Sequence, residues 1–168
     1  MMRTATFIGL WVVMAIAARA QDFASRYMAE QGRDSTLTCI SVSPKMMEEI
    51  LDRGIERNDT TGMADIISRL KSMRIVSADR GGKNHFRQAE EMAQKNSARF
   101  KKLASYDEGK DRCRIFVREQ KTQIVELVLL RQEGRRFTVI NFTGNMNREF
   151  IAQLTHTMLP VPTGEGTD

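Results

Sequence analysis

The chain predicts an α+β fold: a two-layer sandwich in which a mixed, mostly antiparallel sheet of about five strands carries helices mainly on one face. Three observations predict it. Between Arg112 and Phe142, three β-rich runs follow one another through short polar turns, the way antiparallel neighbours are joined. Before them, helix-like runs separate shorter strand-like ones, and such crossovers allow a parallel pair in the same sheet. A length of 168 residues with 41% hydrophobic content suits one domain with one core.

Each element has a local reason. Asp22 to Gln31 reads as a short helix, with Phe23, Tyr27 and Met28 on one side and Gly32 as its stop. Ser35 to Val42 is β-branched and alternating, hence a strand. Ser43 then caps a helix with Pro44 at its first position, where no N–H is needed, and Gly54 ends it. After a polar loop from Ile55 to Gly62, a further helix is expected from Met63 to Met73, on the spacing of Ile66, Ile67 and Leu70. Arg74 to Ala78 is a second strand. A long basic helix is expected from Asn84 to about Leu103, with Phe86, Ala89, Ala93, Phe100 and Leu103 as its apolar positions. Asp107 to Asp111 is a turn. Arg112 to Glu119 alternates charged and apolar residues, as a half-exposed strand does. Thr122 to Arg131 is more continuously apolar and reads as central. Gln132 to Arg135 is a hairpin turn, Arg136 to Phe142 the last strand, and Asn147 to Met158 the last helix.

The N-terminus has the layout of a secretory signal peptide: Arg3, an apolar run from Ala5 to Ala18, and Ala18-Arg19-Ala20 as a small-x-small cleavage site before Gln21. The expected organisation is a leader at 1–20, one domain at 21–159 and a Pro/Gly-rich disordered tail at 160–168. The mature chain then carries no stable membrane span, and a periplasmic or secreted location follows. The formal charge of +5 loses Arg3 and Arg19 with the leader, leaving 24 basic side chains against 21 acidic ones. That is an ordinary solvated surface and no nucleic-acid footprint. Export permits a disulfide between Cys39 and Cys113; two separate buried thiols are the other reading of the same residues.

The sequence points to no catalytic residues, no metal and no cofactor. His85 and His156 lack a HExxH or HxxxH partner, and His85, opening a helix, is expected to be solvated. No GxSxG, GxGxxG or GxxxxGK[ST] occurs. Glu48-Glu49 and Glu90-Glu91 are adjacent pairs that diverge around their helices, and Arg99, Lys101 and Lys102 read as a solvated basic face. Two places offer binding chemistry. At the junction FTVINFTGNMNREFIAQL, Gly144, Asn145, Asn147 and Arg148 could hold an anionic small ligand. The same stretch also reads as a structural joint, since Gly144 permits a sharp turn, and Asn147 caps the helix while Met146 and Ile151 staple it. On the half-exposed strand, Arg112, Arg114 and Arg118 form an interaction surface for an unknown envelope protein. A non-enzymatic binding or interaction module is the leading expectation, and a small-ligand or anion binder at the junction is the alternative.

Three stretches carry a family resemblance: DFASRYMAEQ with STLTCISVSPKMM, RIVSAD, and VELVLLRQEGRRFTVINFTGNMNREFIAQL. Across nearly all the mature chain the sequence resembles the domain of unknown function 4252 family, exported bacterial proteins mostly from Bacteroidetes. The resemblance implies an envelope location and supplies neither an activity nor catalytic residues. Some relatives carry a lipidation cysteine in the leader; here no cysteine ends the apolar run. Protein recovered from an export-competent host should therefore start at unlipidated Gln21. Intact-mass measurement decides this, and a chain retaining residues 1–20 counts against it.

Overall fold

The computed structural model describes residues 21–54 and 69–152, with the backbone alone for 50–54. In chain order the elements are α1 (Phe23–Gln31), β1 (Thr38–Val42), α2 (Pro44–Gly54), β2 (Leu70–Ala78), α3 (Gly82–Lys95), β3 (Lys101–Glu108), β4 (Asp111–Gln120), β5 (Gln123–Glu133) and β6 (Arg136–Met146). A further helical segment begins at residue 148. The strands form one open sheet in the order β1-β2-β6-β5-β4-β3. Every neighbouring pair is antiparallel. The α+β class holds. The leader at 1–20, the loop from Ile55 to Gly62, most of the Met63–Met73 helix, His156 and the tail at 160–168 lie outside the described residues. No helix among the described residues is long and apolar enough to cross a membrane.

The sheet has six strands rather than five, and no parallel pair among the described residues. Both corrections trace to one segment. The basic helix stops at Lys95, where the side chain of Asn96 donates to the Met92 carbonyl at 3.1 Å and its N–H to the Ala93 carbonyl at 3.3 Å. The residues expected to continue it instead form β3, which folds back on β4 through Gly109 at φ 58°. The crossover through α3 therefore delivers the chain to the far edge of the sheet. β2 and β3 are not neighbours, so the crossover creates no parallel pair. β2 also starts at Leu70, four residues before the predicted strand, which removes the last turn from the expected Met63–Met73 helix.

Side chains alternate between two apolar clusters on opposite faces of the sheet. On one face, Val128 and Leu130 of β5 with Phe137 and Val139 of β6 pack under Phe23 and Tyr27 of α1 and Phe86 and Ala89 of α3. On the other, Leu127 and Leu129 of β5 with Phe142 of β6 join Met47 of α2 and Phe150 and Ile151 of the last helical segment. β5 is central, as its composition predicts, and each of its fully buried aliphatic side chains contributes about 1.5–3 kcal/mol. β4 is not half-exposed: Cys113 to Val117 are all buried.

α1 is fixed to the sheet at its N-terminus. Each of its first three N–H groups finds a side-chain acceptor: Phe23 donates to Glu126 Oε1 at 2.7 Å, Ala24 to Asn141 Oδ1 at 2.9 Å, and Ser25 to the N-cap Asp22 at 2.8 Å. Glu126 is fully buried. It also accepts from Arg118 Nε at 2.8 Å, Asn141 Nδ2 at 3.3 Å and Arg99 Nη2 at 3.4 Å. Replacing it with alanine leaves these donors without their shared acceptor. Glu126→Ala should lower unfolding free energy by about 3–5 kcal/mol in urea titrations. A loss below about 1 kcal/mol would show that the cluster is not a structural anchor.

Candidate functional site: a basic cleft at one end of the sheet

At the end of the sheet where β4 turns into β5 and β6 runs out, three strand pairings change register. The shifts fall between Leu70 and Ser72, between Arg118 and Glu119, and between Ile124 and Glu126. Bulges of this kind raise local twist and re-aim side chains. Gly144 sits inside the disturbance at φ 151°, but within β6: the strand expected to end at Phe142 runs on to Met146, and the sharp turn expected at Gly144 is not made. A Cβ on Gly144 would lie 2.5 Å from the Arg69 carbonyl oxygen, so only glycine admits this approach of β2. The next N–H, of Asn145, donates to that same carbonyl at 3.0 Å.

The strands open there into a cleft of about 930 Å³, lined by Lys71, Lys121, Asn145, Asn147, Arg148 and Glu119 among others. A second cleft of about 820 Å³ shares Lys71, Lys121 and Asn145 with it and adds Asp22 and Arg118. The carboxylates are already engaged. Glu119 accepts from Lys101 Nζ at 2.8 Å. That hydrogen bond and charge, with a smaller push from Arg148, hold its carboxyl below the usual range, so it stays ionised. Asp22 pairs with Arg74 at 3.2 Å. Lys71, Lys121 and Arg148 are exposed. Lys121 stands in the β4–β5 turn at φ 56°, a left-handed conformation that costs a non-glycine residue roughly 1–2 kcal/mol.

The family profile described as a domain of unknown function (DUF4252) matches residues 27–154. The chain belongs to that family. Searches of curated proteins and of solved structures find no match. The matched span contains the whole sheet and every basic residue of the first cleft.

The predicted ligand residues of this DUF4252 chain divide in role. Gly144 admits the neighbouring backbone. Asn147 caps the last helical segment, its Oδ1 accepting from the Phe150 N–H at 2.8 Å, and Met146 and Ile151 are buried in one cluster as the staple requires. Asn145 and Arg148 line the cleft. Lys71 and Lys121 are not found by reading the sequence, because long-range pairing brings them to the junction: β2 against β6 for Lys71, and β5 against β6 for Lys121 in the β4–β5 turn. A lysine in a tight turn is a weak cue for Lys121, and Lys71 has none.

Of the three arginines expected on an interaction surface, Arg112 is exposed, whereas Arg114 and Arg118 are drawn into internal pairs. Arg114 is buried under α3 and donates to Glu90 at 2.8 Å and Asp107 at 2.9 Å. Its guanidinium lies 5.5 Å from the Phe86 ring centre. Arg118 is bound to Glu126, and Arg112 pairs with Asp107 at 3.7 Å. The side of β4 that carries Arg114 and Arg118 therefore faces ion-pair partners and a helix. Glu90 and Arg99, expected on a solvated surface, are parts of these internal pairs.

His85 is buried rather than solvated. The first turn of α3 lies against α1, where Tyr27 Oη and His85 Nδ1 are 3.0 Å apart. His85 Nε2 is 3.3 Å from Thr36 Oγ1 and 3.7 Å from Asp34. Burial, with the charge of Asp34, pushes the Tyr27 phenol up. Hydrogen bonds from Thr36 hold Asp34 down. Neither cleft is lined by His85 or Tyr27, so this chain of polar groups fastens α1 to α3. Among the described residues, no three His, Cys, Asp or Glu side chains gather as a metal site.

Cys39 and Cys113 are both free. They lie on β1 and β4, four strand spacings apart. That is roughly 19 Å at the usual spacing, well beyond the reach of a disulfide. Cys39 is exposed, whereas Cys113 is buried and its thiol is pushed up by that burial. Native protein should react with a thiol reagent rapidly at Cys39 alone, and at Cys113 only after denaturation. Peptide mapping checks this, and equal labelling of the two would contradict the placement.

Proposed function

We propose that this is a non-enzymatic binding module of the cell envelope, and that its ligand presents an anionic group to the cleft at the end of the sheet. The observation that carries the reading is the gathering of Lys71, Lys121 and Arg148 around a cleft whose one lining carboxylate among the described residues, Glu119, already pairs with Lys101. The left-handed Lys121 adds weight. A glycine would relieve the turn at no steric cost, so the lysine side chain is held there against its backbone preference. The leader-like layout of residues 1–20 and the family resemblance support the envelope location.

The test is calorimetry and thermal unfolding with inorganic pyrophosphate and with citrate as probes. Wild type should bind at least one of them, and binding should weaken as salt rises from about 50 to about 300 mM. Lys121→Gly should keep or raise the unfolding temperature while weakening the probe by about tenfold, roughly 1.4 kcal/mol. Lys71→Glu should weaken it similarly. Binding that is absent in wild type, or equal in wild type and both variants, removes the proposal.

A further inference from the structure

An open sheet leaves two edges, and the two here are built differently. β3 carries Lys101, Lys102, Asp107 and Glu108, and its register against β4 breaks between Lys102 and Ala104. Edge charges and a bulge are the devices that keep a strand from pairing with another chain. β1, Thr38-Cys39-Ile40-Ser41-Val42, has none of them. It is uncharged, contains no proline, and pairs with β2 through five consecutive residues without a shift. Its residues Thr38 to Ser41 are exposed.

A row of side chains runs across the sheet to this edge. Leu129 stands opposite Ile140, Ile140 opposite Ile75, and Ile75 opposite Ile40. Burial falls off along it: Leu129 is 1% exposed, Ile140 and Ile75 are half-buried, and Ile40 is 57% exposed. The row leaves the core and stops at a backbone edge that no further strand among the described residues pairs with.

We infer that β1 pairs with β1 of a second copy of this chain, antiparallel about a two-fold axis at Ile40. That register sets Ile40 against its counterpart, Cys39 against Ser41 of the second copy, and Thr38 against Val42 of the second copy. No charge faces a like charge, and the isoleucine row becomes continuous across both sheets. This self-complementarity is what favours a second copy over an unrelated strand. Because β3 is closed to pairing, association stops at two copies rather than growing into a fibre. Five residues make a small interface, so the dimer is weak, in the micromolar range.

Sedimentation velocity on the mature protein tests this, with a reductant present so that Cys39 cannot bridge two chains. Wild type should pass from monomer to dimer between about 5 and about 500 µM. Ile40→Lys should stay monomeric at the top concentration with an unchanged far-ultraviolet spectrum. Hydrogen exchange on wild type should show Thr38–Val42 amides slowing as concentration rises, a readout that stands even if the variant fails to fold. A wild type monomeric throughout, or a dimer in which β1 amides gain no protection, overturns the inference.

Discussion

The buried carboxylate of Glu126 is the constraint on which the rest of this fold depends. A charge with no solvent access must be matched by donors, or it costs several kcal/mol. Its donors come from elements far apart in the chain: the Phe23 N–H of α1, Arg118 of β4, Asn141 of β6 and Arg99 just before β3. None reaches Glu126 until β5 lies between β4 and β6 and α1 lies across them. The carboxylate also occupies the positive end of α1 and so acts as that helix's internal anion. Asn141 completes the arrangement by accepting from Ala24 while donating to Glu126 and to the Leu127 carbonyl. One residue thereby couples helix position, strand order and strand register.

The same demand explains the alternating charges of β4. Arg114 and Arg118 share the face that α1 and α3 cover, and each meets a carboxylate there, Glu90 for the first and Glu126 for the second. Arginine suits these places: its fork satisfies several acceptors at once, and its plane packs against Phe86. An alternating charged and apolar strand normally means one wet face. Here it marks a strand whose polar face is neutralised inside the protein, and nothing in RCRIFVRE alone separates the two cases.

What could be read from the chain follows from how local each cause is. The Gln132 to Arg135 turn and the Asn147 cap depend on a few adjacent residues, and β5 on its own apolar run, and each stands in the structure as expected; the need for glycine at 144 comes instead from the distant Arg69 carbonyl. β3 was illegible because KKLASYDE follows a genuine amphipathic helix and keeps its charge pattern; the break comes from Asn96 turning its carboxamide back onto the helix end. His85 looked solvated because it opens a helix, and only long-range packing against Tyr27 of α1, Phe137 of β6 and the loop at Asp34 and Thr36 buries it. Half of the candidate cleft was legible for the same reason. Asn145 and Arg148 belong to the junction itself, whereas Lys71 and Lys121 arrive through long-range pairing.

The basic residues fall into two sets, and only one of them is free of the packing, which is why the proposed cleft is drawn around it. Arg74, Arg99, Arg114 and Arg118 each contact a carboxylate, and those contacts hold elements together. Directing them to an outside ligand would undo the packing that positions them. Lys71 and Lys121 stand where the register shifts twist the strands away from the core, on exposed backbone that no ion pair among the described residues requires. The strained backbone of Lys121 makes the same point at one residue, since neither packing nor turn geometry calls for a lysine there, and its charge toward the cleft is what distinguishes it from the glycine the turn would accept.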